Sequence, residues 1–332
     1  MSEIDLYVVN STGSELKICG ELLVYNRLLS PLGDIDTSTG RLRSGGRVSS
    51  KIVAAKGFTG STVGPYVLYS LVKKGLAPRA LIVEQIDVNS VTSAVISSVP
   101  LFRVGELSPL EKLYSEGVRY VCIEDSRLRP RGILVAIEGI DGAGKTTIAK
   151  YLFEILKKCG FRAIYTYEPY YNSIRAIFES RTMKLTPEAE ALLMVADRYS
   201  HFNWVVREEL KAGSVVILDR YKYSTVAYQG AVGLSVDWLR EVQKYLPEPD
   251  IGIYLDIDPE EGLKRKAGNS ARVLTYFEDL ERLRKARKIY LDMVARGEMT
   301  LVDASLKPSE ILEKIVDLIE EKLKLDLREC AL

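Results

Sequence analysis

The sequence predicts an α/β fold in two parts: a smaller strand-rich domain, then a larger domain with a parallel sheet and helices on both of its faces. Up to about residue 130, short apolar runs alternate with clusters of Gly, Ser, Thr and Pro, a pattern typical of strands joined by turns. Beyond that point, apolar runs alternate with amphipathic stretches, which predicts β-α-β units. A length of 332 residues also suits two domains.

The boundary between the two parts is expected at residues 128–132, a basic stretch that contains Pro and Gly. The domains would then cover residues 1–127 and 133–332. Few helices are expected in the first domain. Its predicted elements are strands at residues 51–55, 80–83 and 120–123 and a helix at 67–74.

In the second domain each predicted strand ends near a polar or acidic residue. Ligands of such open sheets bind at the carboxyl ends of the strands, where Glu138, Glu168, Asp219 and Asp256 fall. The predicted strands are residues 133–138, 162–167, 214–218, 251–256 and 299–303, and the predicted helices are 145–159, 187–211, 275–296 and 308–325.

The composition excludes several classes of protein. Hydrophobic residues make up 47% and charged residues 27%, so the chain can bury sizeable cores and is not expected to be disordered. Lys and Arg number 46 against 45 Asp and Glu, which gives no reason to expect a nucleic-acid partner. The apolar runs are too short to span a bilayer, and the first residues are too polar for a signal peptide. We therefore expect a cytoplasmic protein with no membrane partner.

Cysteine and histidine give no sign of a metal centre. The four cysteines lie far apart without a Cys-x-x-Cys pair, so neither a zinc site nor a disulfide framework is expected, and buried thiols are the default. His201 is the only histidine, which argues against His-rich metal sites and Ser-His-Asp chemistry.

A glycine-rich loop predicts a nucleoside triphosphate site. It fits G-x-x-x-x-G-K-[ST] and lies between an apolar strand and a helical pattern, where its N–H groups and the helix N-terminus can bind phosphates. Lys145 is expected to reach the β and γ phosphates, and the Thr146 hydroxyl to ligate Mg²⁺. The alternative is a turn that holds no nucleotide. The residues expected at this site are Gly139, Ile140, Asp141, Gly142, Ala143, Gly144, Lys145, Thr146 and Thr147.

Four further motifs follow in order: Glu168-Pro169, Ala196-Asp197-Arg198, Asp219-Arg220-Tyr221 and Tyr228-Gln229-Gly230. With the loop, they make residues 133 to 325 resemble thymidylate kinase. This resemblance implies transfer of the γ-phosphoryl group of ATP to deoxythymidine monophosphate, with Mg²⁺ as cofactor and a homodimer as the assembly.

The resemblance also implies roles for single residues. Arg220 would grip the acceptor 5'-phosphate, and Asp219 would join Thr146 at the magnesium ion. Asp141 would lie near the acceptor sugar, and Arg198 would hydrogen-bond the thymine base. The further acceptor-binding candidates are Glu168 and Arg175, the latter as a second cation for the acceptor phosphate, and Tyr228 and Gln229, which would line the base pocket.

Each of these roles has a structural alternative. Arg220 can be one half of a structural ion pair, and Asp141 or Asp219 a solvated loop acid. The other candidates can be ordinary residues of a helix surface or core. Physical chemistry nevertheless supports the functional interpretation, because two phosphate groups brought together need cations on both sides. The acceptor phosphate is already ionised near neutral pH, so no general base is needed and the scarcity of His is no obstacle.

Three positions differ from what the family pattern leads us to expect. Met194 stands where the family has a Phe that stacks on thymine, and it offers no ring. Gly142 stands where some relatives carry an arginine. The segment 264–272, expected as the mobile lid over the transferring group, is basic but lacks the usual Asp-Arg-x-Glu. Arg265 or Arg272 is the expected catalytic cation there, with a solvated basic turn as the alternative.

The first domain resembles the swivel domain of aconitase X over roughly residues 15 to 105. Three segments carry the resemblance, Leu29 to Arg41, Lys56 to Gly64 and Gly75 to Ala80. The chain is thus interpreted as a fusion of two domains. Ser61 and Thr62 in a Gly-rich turn are candidates to bind an anion, although a purely structural turn is the better interpretation.

Three alternative functions remain at this stage. The chain can be a kinase of the same fold for another nucleoside monophosphate, because of Met194 and the altered lid. It can be a non-catalytic ATP-binding sensor that is coupled to the swivel-like domain. It can also be a dehydratase subunit to which a kinase is fused.

Overall fold

The protein contains a seven-stranded closed barrel and a five-stranded parallel sheet. These belong to a computed structural model that describes residues 3–10, 17–60, 62–180, 185–267 and 273–331. The α/β class, with a strand-rich domain ahead of a domain built on a parallel sheet, is confirmed. Within the described residues, no helix is long and apolar enough to cross a membrane.

The barrel is formed by the first part of the chain, and its strands run in the order β1-β7-β6-β5-β2-β8-β9. Strands β2, β5, β6 and β7 are mutually parallel neighbours, and the remaining pairs are antiparallel. The elements are β1 Ile4–Asn10, β2 Ile18–Leu29, α1 Pro31–Asp34, β3 Ile35–Asp36, β4 Arg41–Leu42, β5 Ile52–Phe58, α2 Gly64–Lys73, β6 Ala80–Val83, α3 Val88–Ser97, β7 Leu101–Val104, α4 Ser108–Ser115, β8 Tyr120–Glu124 and β9 Arg127–Pro130.

Besides α2, which overlaps the helix predicted at 67–74, this strand-rich part contains α1, α3 and α4, which the sequence did not predict. The residues of α3 include many Ser and β-branched side chains, which are poor helix formers. The helix is nevertheless begun by a capping box between Asp87 and Ser90. It buries Ser90, Ser93, Ala94 and Ser97, so tertiary packing stabilises a helix that its propensity disfavours.

The second sheet has the order β11-β12-β10-β13-β14, with all neighbours parallel. Its five strands confirm those predicted from the sequence, to within one residue at either end. The elements are β10 Ile133–Gly139, α5 Lys145–Lys158, β11 Ala163–Tyr167, α6 Asn172–Ser180, α7 Pro187–His201, α8 Arg207–Lys211, β12 Val215–Asp219, α9 Lys222–Ala231, α10 Val236–Glu241, β13 Ile251–Asp256, α11 Pro259–Ala267, α12 Val273–Ala295, β14 Thr300–Asp303, α13 Pro308–Leu323 and α14 Arg328–Ala331.

The helix predicted at residues 187–211 is continuous but contains a π-helical turn over Phe202–Val206, between α7 and α8. The lid expected at residues 264–272 begins as the last turn of α11, and residues 268–272 lie outside the described part of the chain. The stretch expected as a linker, 128–132, is mostly the barrel strand β9, which leaves residues 131 and 132 between β9 and β10.

The barrel packs against the amino edge of the parallel sheet. Arg119 donates from Nε to the carbonyl of Gly160, which precedes β11, at 3.1 Å. Arg131 contacts Asp250, which precedes β13, at 2.6 Å. The glycine-rich loop follows the carboxyl end of β10, so the barrel lies at the edge of the sheet opposite to this loop.

The C-terminal segment also joins the two domains. The barrel residues Glu21 and Lys51 form a buried ion pair, with Nζ of Lys51 2.9 Å from Oε1 of Glu21. The backbone N–H of Asp326 donates to the other oxygen of Glu21 at 3.0 Å. Burial raises the pKa of Glu21, and its contact with Lys51 opposes that rise.

Two disulfides correct the expectation of free buried thiols. Cys19 and Cys122 face each other on the antiparallel strands β2 and β8, and Cys159 at the end of α5 is bonded to Cys330 in α14. The partners are separated by 103 and 171 residues. Their spacing in the sequence therefore carries no signal of the pairing, which depends on the tertiary fold.

Candidate active site

The glycine-rich loop, here called the P-loop, lies between β10 and α5, as predicted, and lines a cavity of about 250 Å³, the P-loop cavity. Lys145 begins α5, is buried, and donates from Nζ to the carbonyl of Ile140 at 2.9 Å. Burial and the nearby charge of Arg220 lower the pKa of Lys145 to about 7. An anion in the cavity favours the charged form of this lysine. Of the predicted loop residues, Asp141, Gly142, Gly144, Lys145, Thr146 and Thr147 line the cavity, whereas Gly139, Ile140 and Ala143 do not.

Packing of α11 explains why residue 142 is glycine. A Cβ at Gly142 would lie 2.0 Å from the carbonyl oxygen of Gly262, and the backbone φ of Gly142 is +83°. No side chain fits at this position. The backbone of α11 therefore excludes the arginine that some relatives carry here. A cation for the transferring group must come from another element.

Thr146 and Asp219 are brought together at the floor of the cavity. The hydroxyl of Thr146 donates to Oδ2 of Asp219, the last residue of β12. Asp219 is buried, and both residues line the cavity. The pair expected to hold a metal ion therefore forms one oxygen-rich corner of the site.

Asp141 connects four parts of the site. One of its carboxylate oxygens accepts from Arg220 at 2.5 Å and from the Tyr228 hydroxyl at 3.1 Å, and the other accepts from Lys266 of α11 at 2.5 Å. Burial opposes its charge, but Arg220, Lys145 and Lys266 hold the pKa of Asp141 well below its usual range.

Arg220 is held in an unusual backbone conformation directly after β12. Its φ is 74°, in the left-handed region that costs a non-glycine residue about 1 kcal/mol or more. The backbone N–H groups of Tyr221 and Ser224 donate to the buried carboxylate of Glu138, at 2.8 and 3.2 Å. Glu138 thereby fixes the start of α9 and the direction of Arg220, which lines both the P-loop cavity and a second, larger one.

The second cavity has a volume of about 700 Å³ and lies between α6, α7, α9 and α12. It brings together most of the residues that the sequence predicted for the acceptor and is called the acceptor cavity below. The predicted residues that line it are Glu168, Met194, Arg198, Arg220, Tyr228 and Gln229.

Arg198 is buried at one end of this cavity and is held by several partners. Its Nε donates to Glu168 at 2.5 Å, and its Nη1 donates to Thr225 at 2.9 Å and to Gln243. The second oxygen of Glu168 lies 3.3 Å from Nδ1 of His201. Among the described residues, no side chain bonds Nη2 of Arg198, so this nitrogen can donate to a ligand. Glu168 orients Arg198 as well as lining the cavity.

Two of the cations expected at the site point elsewhere. Arg175 donates to the carbonyl of Pro169 at 2.6 Å and lies over the ring of Tyr167, and it does not line the acceptor cavity. Arg265 bonds the carbonyl of Ala304 at 2.9 Å and does not line either cavity. Arg272 lies outside the described residues, as does Ser61 of the barrel's Gly-rich turn.

Sequence reasoning did not assign several residues that line the cavities, among them Lys266, Phe178, Glu190 and Arg282. Phe178 of α6 lines the cavity together with Met194, so an aromatic ring is present although Met194 replaces the expected one. Glu190 accepts from Nε2 of Gln229 at 3.3 Å. A basic lid pattern could have suggested Lys266, but the other three come from helix positions that no motif marks.

Comparison with known proteins agrees with this geometry. Residues 137–315 match the family model described as thymidylate kinase, which is more than half of the chain. The chain is 39% identical to the probable thymidylate kinase of Staphylothermus marinus over 193 residues, 58% of this chain and 96% of that protein. It is 38% identical to the probable thymidylate kinase of Pyrococcus abyssi, covering 58% of this chain and 98% of that protein. Identity to the thymidylate kinase of Xanthomonas oryzae is also 38%, with 56% and 82% covered.

The chain belongs to the thymidylate kinase family. The resemblance stated from the motifs is confirmed, as is the expectation of an enzyme of this family. Residues 10–128 match a different model, described as the aconitase X swivel domain. This confirms the second resemblance, and the match extends beyond the residues 15 to 105 that suggested it.

Loss of charge at Glu168 is predicted to destabilise this thymidylate kinase family member. Glu168→Gln leaves Arg198 buried without its counter-charge, so the free energy of unfolding should fall by about 3 kcal/mol. The control Glu208→Gln removes an exposed ion pair with Lys211 and should leave stability unchanged. Urea denaturation of both variants measures the difference. Equal stability of the two would contradict the assigned role of Glu168.

Proposed function

We propose that this chain transfers the γ-phosphoryl group of ATP to deoxythymidine monophosphate and forms the diphosphate. The observation that carries the proposal is the position of Arg220, which lines both the P-loop cavity and the acceptor cavity. A residue shared by the two cavities lies where the two substrates would meet. The family to which the chain belongs supports the same reaction.

The proposed reaction needs alignment of two anions more than it needs proton transfer. The attacking oxygen of the acceptor phosphate is ionised near neutral pH, and the enzyme must neutralise charge while holding the reacting groups in line. Lys145 and Arg220 provide positive charge from the donor and acceptor sides. In this proposal Arg220 contacts both the acceptor phosphate and, at transfer, the migrating group.

The donor atoms at the floor of the P-loop cavity suit Mg²⁺. This ion prefers oxygen ligands and is commonly bound by one or two protein oxygens together with nucleotide phosphates. The hydroxyl of Thr146 and the carboxylate of Asp219 supply such a pair. When bound, Mg²⁺ neutralises charge on the phosphates of the donor, and Thr146 and Asp219 would hold it or its waters.

The base end of the acceptor cavity suits thymine. Glu190 can only accept hydrogen bonds, so Gln229 must direct its NH₂ group towards it and its Oε1 away from it. Oε1 is then available to accept from the N3–H of thymine, while Arg198 donates to a base carbonyl. Met194 and Phe178 provide apolar surface for the ring and its methyl group.

Lys266 replaces Arg265 as the proposed lid cation. It lines the P-loop cavity, bonds Asp141, and lies in the last turn of α11, within the residues expected as the lid. Binding of ATP would offer Lys266 the phosphates as alternative partners. The division into domains at residues 1–127 and 133–332 stays a proposal, with β9 extending the first domain to Pro130. The homodimer, the cytoplasmic location and the absence of a nucleic-acid partner also stay predictions.

The first prediction of this proposal concerns the acceptor. ADP release from ATP and Mg²⁺ should be well above background with thymidylate and much slower with uridylate, cytidylate, adenylate and guanylate. Lys145→Ala should lower the rate with thymidylate at least about 100-fold, because it removes a preorganised charge at the transferring group. A preference for another acceptor would contradict the thymine assignment, and no acceptor-dependent turnover would contradict the kinase activity.

The second prediction concerns the role of Glu190 in base selection. Glu190→Gln allows the amide of Gln229 to turn, because the new side chain can donate as well as accept. The ratio of kcat/KM for thymidylate to that for deoxycytidylate should fall about 10-fold, since cytosine offers a lone pair at N3 instead of an N–H. Glu188→Gln, an exposed change on the same helix, is the matched control. An unchanged ratio in Glu190→Gln would contradict the proposed orientation of Gln229.

A further inference from the structure

We propose that Arg282, on α12, binds the phosphate group of the acceptor as a second cation beside Arg220. This inference rests on the proposed function. It assigns to α12 the role that the sequence had given to Arg175, which does not line the acceptor cavity.

Arg282 differs from the other two arginines of the cavity in having no protein anion as a partner. Arg198 is paired with Glu168, and Arg220 with Asp141. Within the residues that the structure describes, the guanidinium of Arg282 has no carboxylate partner. Its Nε is buried and has no hydrogen-bond partner there either.

A buried donor on a charged group is unfavourable unless something accepts its hydrogen bond. Arg282 lines the acceptor cavity, so a ligand in that cavity can supply the missing acceptor. The planar guanidinium matches the geometry of phosphate oxygens and can bind two of them at once. The missing partner is therefore an anion of the ligand, and a phosphate group fits best.

Arg282 lies near the part of the acceptor cavity that is closest to the P-loop, where the acceptor phosphate is proposed to bind. Its guanidinium carbon lies 5.7 Å from the centre of the Tyr228 ring, and that of Arg220 lies 5.2 Å from the same centre. The Tyr228 hydroxyl bonds Asp141 of the P-loop, which places this ring at the end of the cavity nearest to the donor. Arg198, which is bonded to Glu168, and Gln229, which is bonded to Glu190, are the residues proposed to bind the base.

The acceptor, not the donor, is the proposed source of this phosphate. Arg282 lines the large acceptor cavity and is absent from the lining of the P-loop cavity, where Lys145 and Lys266 provide the charge. Arg220 is shared by both. Arg282 should thus add affinity for the monophosphate without affecting the affinity for ATP.

The test compares thymidylate with thymidine, which lacks the phosphate, by calorimetric titration of the full chain. Arg282→Met keeps most of the apolar stem and removes the charge. Loss of a charge-assisted hydrogen bond should weaken thymidylate binding about 10- to 100-fold. Binding of thymidine should change less than about twofold, because a neutral nucleoside offers no anion. The KM for ATP should be unchanged, and the rise in the KM for thymidylate should exceed the fall in kcat.

A matched control is available two residues further along the helix. Arg284 is half-exposed and pairs with Glu260 and Glu281, so Arg284→Met removes the same charge from the outer face of α12. It should affect neither ligand. Arg282→Gln gives a second uncharged variant if the methionine variant does not fold, and Arg282→Lys should recover part of the affinity for thymidylate.

Three results would overturn the proposal. These are unchanged thymidylate affinity in the uncharged variants, equal losses for thymidine and thymidylate, or a rise in the KM for ATP alone. Failure of the proposed function is recognised separately, as the absence of thymidylate-dependent ADP release from the wild-type protein. In that case the binding experiment, which compares thymidylate with thymidine, still tests the proposed role of Arg282. A wild-type protein that binds neither ligand would contradict both proposals.

Discussion

The carboxylate of Asp141 is the group on which the arrangement of the site depends. It bonds Arg220 after β12, Lys266 of α11 and the hydroxyl of Tyr228 on α9. Cations placed near one another repel, and a carboxylate between them keeps them charged and in position before any substrate arrives. Two phosphate groups that repel each other can then be received by positive charge that is already in place, which is the electrostatic preorganisation that catalysis requires.

The carboxyl and amino edges of the parallel sheet serve different functions. Its carboxyl edge holds the P-loop and the acceptor cavity, whereas its amino edge carries the barrel through contacts such as Arg119 to Gly160. The buried pair of Glu21 and Lys51, which binds the backbone of Asp326, adds a second connection. Among the hydrogen bonds and ion pairs of the described residues, none joins the barrel to a residue that lines the P-loop cavity or the acceptor cavity.

Local patterns predicted a large part of this molecule. The strands of the parallel sheet, the P-loop and the Asp219-Arg220 pair follow from short stretches of sequence, because apolar periodicity and glycine spacing are local signals. Lys266, Phe178 and Arg282 could not be found in this way, since they reach the cavities only through the packing of helices that follow distant strands. The disulfides and the exclusion of a side chain at Gly142 have the same origin, because each depends on two segments that are remote in the chain.

The central claim is that the two cavities form one continuous site for the two substrates, joined at Arg220. The most direct measurement is the affinity of a single molecule in which adenosine and thymidine are linked through their 5' oxygens by five phosphates. If the claim is correct, this molecule should compete with both ATP and thymidylate and bind about 100-fold more tightly than either, because the second contact becomes intramolecular. An affinity no greater than that of ATP, with no competition against thymidylate, would contradict it.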